Sequence, residues 1–133
     1  MKIRVIRGKF INMNIEQIRE YCLSKKGTSE DFPFDEDTLV FKVLGKMFAL
    51  TSLKKWEEGD YSINLKCDQD YAEELRTQYD SIYAGYHMNK KHWITVLMDG
   101  SVPDKKLCLW MDDSYNLVVA GLTKSQKKAL ETL

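Results

Sequence analysis

The run Tyr86-His87-Met88-Asn89-Lys90-Lys91-His92-Trp93 is where side chains able to do chemistry are densest. It holds both histidines, two adjacent lysines and two large aromatics, and no acid occurs from Ser81 to Met98. Ammonium groups beside an amide and flat rings suit a nucleic-acid backbone. Lys90 and Lys91 would meet phosphate oxygens, Asn89 would hydrogen-bond, Tyr86 or His87 would stack on a base, and His92 would flank them. Lys46, at the tip of an earlier hairpin, and the pair Lys54-Lys55 would extend this surface. The competing reading is a structural hairpin with an exposed polar turn and Trp93 anchored in the core.

Other chemistries are less well served. His87 and His92 are five apart with cysteines and acids distant in sequence, a spacing that fixes no tetrahedral metal site. The acids of residues 30–37 read as a solvated loop, and no metal or other cofactor is expected. Ser114-Tyr115 lacks a GxSxG elbow, and no histidine and acid follow in a readable order. Asp112 and Asp113 are adjacent, so on a helix they diverge by about 100° and form no acid–base pair. No glycine-rich phosphate loop occurs. The chain is therefore expected not to be an enzyme. Cys22, Cys67 and Cys108 are widely spaced, odd in number and free of CxxC pairing, which points to buried small hydrophobes.

Charge sets a limit on any nucleic-acid role. The 133 residues carry 20 bases and 20 acids. Residues 1–12 hold four bases and no acids, so residues 13–133 carry four more acids than bases. A dedicated nonspecific DNA binder usually shows a strongly basic domain; here any contact must be a local patch. A protein partner is the alternative, with Phe32, Phe34, Trp56 and Trp110 as candidate anchors. No apolar run approaches the roughly 20 residues of a membrane span. With no secretory signal pattern, a cytoplasmic protein that is a monomer or weak homodimer is expected.

The elements that must position these residues follow from periodicity. Asn14 with Gln17 forms a capping-box signature, Ile15, Ile18 and Cys22 share a face, and Gly27 supplies a stop, predicting a helix over 15–26. An acidic loop follows around Phe32-Pro33-Phe34. Leu39, Phe41 and Val43 alternate with Thr38, Val40 and Lys42, Leu44-Gly45-Lys46 makes a turn, and Phe48, Leu50 and Ser52 return. Tyr61, Ile63 and Leu65 alternate as a half-buried strand. Asp68 starts a helix over 69–79, and two strands span 85–88 and 93–98. Ser101 with Asp104 resembles a capping box before a helix over 102–121, and Thr123 with Gln126 announces a short basic terminal helix. The order α-β-β-β-α-β-β-α(-α) predicts an α+β two-layer sandwich, with an antiparallel sheet of about five strands and helices on one face. Leu39, Phe41, Ile63, Leu65, Trp93 and Leu107 should lie inside. Residues 1–12 read as an accessory extension to a single domain over 13–133.

The chain resembles the MmcQ/YjbR family from about Asn14 to Lys128. The marks are Phe41-Lys42-Val43-Leu44-Gly45-Lys46-Met47-Phe48-Ala49, Asn64-Leu65-Lys66-Cys67-Asp68, Gly85 through Trp93, Leu97-Met98-Asp99-Gly100-Ser101 and Asp113-Ser114-Tyr115-Asn116-Leu117-Val118, in that order. The resemblance implies a secretion-chaperone-like α+β fold, sometimes compared with frataxin, and a relation to double-wing DNA-binding proteins in which two hairpin tips reach the duplex. It carries no catalytic residues. Cys67 stands where the family often has other residues, and residues 1–12 lie outside its usual pattern.

Overall fold

The computed structural model describes residues 13–85 and 91–133, and the element order is that of an α+β sandwich. Helix α1 (Ile15–Leu23) opens with both halves of its capping box: Gln17 N donates to Asn14 Oδ1 (2.8 Å) and Asn14 N donates to Gln17 Oε1 (2.9 Å). It ends before the predicted Lys26 because the chain must turn through Gly27, at φ +70°, into a strand. That strand, β1 (Thr28–Asp31), replaces the first part of the expected acidic loop. It is polar throughout, so its ladder with β2, rather than apolar burial, holds it in place.

Strands β2 (Thr38–Val43) and β3 (Lys46–Ser52) form a hairpin closed by Leu44 and Gly45, both at positive φ. This two-residue loop fits the type I′ geometry that matches strand twist. Helix α2 (Leu53–Glu57), absent from the sequence expectation, follows directly; five residues carry too little periodicity to announce it. Then come β4 (Ser62–Lys66), α3 (Gln69–Gln78), β5 (Ile82–Ala84), β6 (Trp93–Leu97), α4 (Asp104–Ala120) and α5 (Lys124–Glu131). The sheet is antiparallel, with six strands rather than about five, in the order β1-β2-β3-β4-β6-β5. β5 spans Ile82–Ala84, before the strand expected over 85–88, of which residues 86–88 lie outside the described residues, as do 89 and 90.

Ile18, Phe41, Phe48, Ile63, Leu65, Leu75, Leu107 and Met111 fill the interior between sheet and helices. All six residues expected inside are buried. Trp93, however, belongs to a second cluster with Val40 and Leu50, against which Met47 packs, on the sheet face away from the main core. Phe48 and Leu50 sit in different clusters because a register shift between Phe41 and Lys42 inserts one residue into β3.

The predicted Ser101–Asp104 capping box does not form. Pro103 is the N-cap of α4 without a side-chain bond, and Ser101 Oγ instead bonds Asp99 Oδ1 (2.6 Å) and Ser81 Oγ (2.8 Å). The Thr123–Gln126 box of α5 does form.

Candidate functional site

Strand direction decides which candidate residues meet. The β2–β3 turn sits where β3 begins; β3 is antiparallel to β4, and β4 to β6, whose pairing sets Lys66 opposite Trp93. Lys46, Lys66 and the Lys91-His92 end of the second hairpin therefore share one end of the sheet. Where the ladder is intact, through Ala49, Leu65 and Ile94, β3 and β6 are roughly 10 Å apart with β4 between them. Lys54 and Lys55 follow the other end of β3, about 20 Å away at 3.4 Å per residue. The structure thus sets Lys46, Lys91 and His92 at one end of the sheet and Lys54 and Lys55 at the other. Tyr86, His87, Asn89 and Lys90 lie outside the described residues.

Local structure fixes this end. Leu44 takes a left-handed conformation (φ 46°) that costs a leucine energy, and it packs on the main core. A Cβ added to Gly27 would lie 2.6 Å from Leu130 and 3.4 Å from Leu44, so the first turn, the α1–β1 link and α5 converge there. A Cβ on Gly85 would strike Trp93 Cβ at 2.6 Å and its backbone carbonyl at 3.2 Å, so only glycine fits against that stretch of β6. Gly85 N donates to Trp93 O (2.9 Å) and Cys67 N to His92 O (2.7 Å), anchoring the second hairpin at its base.

The sheet splits where the two hairpins diverge. Beyond Ala49–Leu65 the β3–β4 ladder is interrupted by Ser114 of α4, which is fully buried. Its hydroxyl donates to Phe48 O (2.5 Å) and accepts from Lys66 N (2.9 Å), bridging two strands from the helix layer. Ser114 is thus a packing residue with a defined polar task. Beside it lies a cleft of about 390 Å³ lined by Gly45, Lys46, Met47, Lys66, Trp93, Leu117, Val118, Gly121 and Leu122. A neighbouring hollow of about 380 Å³ is lined by Cys67, Asp68, Tyr71, Asp113, Asn116, Leu117 and Ala120.

The carboxylates face separate neighbours. Asp112 accepts from Tyr21 Oη (2.7 Å) and pairs with Lys25; Asp113 lines the second hollow. Burial, then the charge of Asp112, raises the pKa of Asp113. Burial, then the bond to Asp112, raises that of Tyr21. Among the described residues no group of three histidines, cysteines, aspartates or glutamates is placed to hold a metal. Burial pushes the Cys22 thiol up to about 12 and that of Cys67 to about 11, and raises that of Cys108. A raised pKa leaves little thiolate below it. In the native protein at pH 8, Cys22 should therefore resist Ellman's reagent until denaturant is added, with Cys108, the most exposed, reacting first. Rapid modification of all three native thiols would contradict this burial.

Charge is segregated along the strand axis. Lys46, Lys66 and Lys91 lie at the hairpin end, joined by Lys124, Lys127 and Lys128 of α5, which the sequence did not connect to them. Asp68, Asp70 and Glu131 temper this end. The opposite end carries Asp35, Glu36, Asp37, Glu57, Glu58, Asp60, Asp99 and Asp104, in excess over Lys54, Lys55, Lys105 and Lys106 there. Of the aromatic anchor candidates, Trp110 is buried and Trp56 donates to Thr51 Oγ1 (2.8 Å) while packing on Tyr61. Phe32 and Phe34 stay exposed.

Residues 23–117 match the YjbR family. The chain is 33% identical over 121 residues to the protein YjbR of Escherichia coli K12, covering 91% of this chain and 100% of that one. It is 42% identical over 97 residues to YbdF of Escherichia coli O157:H7, covering 73% and 77%. The crystal structure of Deinococcus radiodurans protein DR2400 superimposes with a TM-score of 0.81 at 42% identity, covering 89% of this chain and 88% of that one. A Pseudomonas syringae protein gives 0.66 at 33% identity, covering 79% and 98%.

Proposed function

We propose, from the premise that the chain belongs to the YjbR family, that it binds nucleic-acid phosphates without catalysis, through the basic end where its two hairpins emerge. The observation that carries this reading is the strand order, which sets Lys46 of β3, Lys66 of β4 and Lys91, in the turn that leads into β6, at one end of the sheet. A row of ammonium groups along one sheet end suits the phosphates that flank a groove of a B-form duplex. Lysines on a neutral protein contact phosphate as point charges and read no base edge. Binding is accordingly modest and indifferent to sequence. The acidic opposite end faces away from the duplex and limits affinity through repulsion.

Fluorescence anisotropy with labelled duplex and single-stranded DNA tests this. At low salt, binding in the micromolar range is expected. The logarithm of the affinity should fall with that of salt concentration with a slope between about −2 and −4, as few counterions are released. Absence of binding at low salt would leave a protein-partner role, for which the exposed Phe32 and Phe34 speak.

A further inference from the structure

The two ends of the molecule are complementary in more than charge. At the acidic end, Phe32 and Phe34 are 44% and 63% exposed on either side of Pro33. The loop holding them is pre-formed: Asp35 accepts from Asp37 N (2.8 Å), Thr38 N (2.7 Å) and Thr38 Oγ1 (3.1 Å). Both rings are ringed by acids, with Glu36 and Asp37 exposed beside Phe34. At the basic end, the cleft in the β3–β4 seam has apolar walls from Met47, Trp93, Leu117 and Leu122, with Lys46 and Lys66 on its rim. Neither lysine makes an ion pair among the described residues. Its volume of about 390 Å³ exceeds the roughly 150 Å³ that holds benzene in a protein interior.

We infer that the Phe32-Pro33-Phe34 loop of one copy docks into the lysine-rimmed cleft of a second copy. An apolar pair framed by carboxylates meets an apolar cleft framed by ammonium groups. Loop and cleft lie at opposite ends of the sheet, so one chain cannot satisfy both. Phe34 seats in the cleft while Glu36 and Asp37 reach Lys46 and Lys66. Reciprocal exchange between antiparallel copies closes a dimer; one-way docking extends a chain. The contact uses lysines that also serve the nucleic-acid reading but does not depend on it, since association is measured without nucleic acid.

Sedimentation velocity of the full chain from micromolar to millimolar concentration tests the inference. The average mass of the wild type should rise with concentration and fall back on adding salt. The double variant Phe32→Ala/Phe34→Ala should lose about tenfold or more in association constant. Its melting temperature should not move, because both rings are exposed. Lys46→Glu and Glu36→Lys should each associate poorly alone, whereas their mixture should recover association. A photo-crosslinking phenylalanine at position 34 should mark residues 117–122 of another copy. A wild type that stays monomeric at millimolar concentration, a double alanine variant that associates like wild type, or crosslinks confined to other surfaces would overturn the inference.

Discussion

Replacing Ser114 by valine is expected to lower the melting temperature by on the order of 10 °C. Among the described residues the Ser114 hydroxyl is the group that links Phe48 O to Lys66 N across the split in the sheet, and it is fully buried. Valine removes that bridge while its γ-methyl groups keep the strands apart. A carbonyl and an amide are then left in an apolar setting, each costing about 1–3 kcal/mol. At roughly 3–5 °C per kcal/mol for a domain of this size, the shift follows. Alanine should cost less, because the smaller side chain lets β3 and β4 approach and pair directly. Thermal denaturation followed by circular dichroism ranks the three proteins: serine, then alanine, then valine. A valine variant within about 2 °C of wild type would show that the bridge adds nothing to stability.

Reversing charge at the hairpin end should have the largest effect on binding. The double variant Lys46→Glu/Lys91→Glu should bind duplex DNA at least about tenfold more weakly at low salt, since two phosphate contacts become repulsive. Lys54→Glu/Lys55→Glu supplies the control. It changes net charge by the same amount, but at the far end of β3. Its affinity should stay within about threefold of wild type, the residual fall reflecting long-range repulsion screened over roughly 10 Å. Both variants alter exposed side chains and should melt as wild type does. Equal losses in the two variants would mean that overall charge, not the hairpin end, governs the interaction.

Much of the fold is legible in the sequence because local signals agree there. The capping boxes at Asn14 and Thr123 form as their spacing requires, and Ile63 and Leu65 alternate with Asn64 and Lys66 as a one-sided strand should. β1 is missed because Thr28–Asp31 contains no apolar residue; its ladder with β2 is a tertiary fact. Trp93 is correctly expected to be buried, but which sheet face it takes depends on its register with Lys66. The site is less legible than the fold. Lys54-Lys55 looks equivalent to Lys46 in sequence, and only the length and direction of β3 separate them. Lys66 reads as an ordinary outward residue of an alternating strand. Its place between the two hairpins follows from the order β3-β4-β6, which no local pattern encodes. The basic character of α5 is visible in sequence, but its packing of Leu130 toward Gly27 and Leu44 is not.

The most direct measurement is a titration of the ¹⁵N-labelled chain with a short DNA duplex, followed by amide chemical shifts at low salt. The account predicts progressive shifts at residues 44–47, at Lys66-Cys67, at Lys91-His92 and in the first turn of α5, with residues 35–37 and 54–60 unmoved. Shifts centred on Lys54-Lys55, shifts on the acidic end, or none at saturating DNA would contradict it.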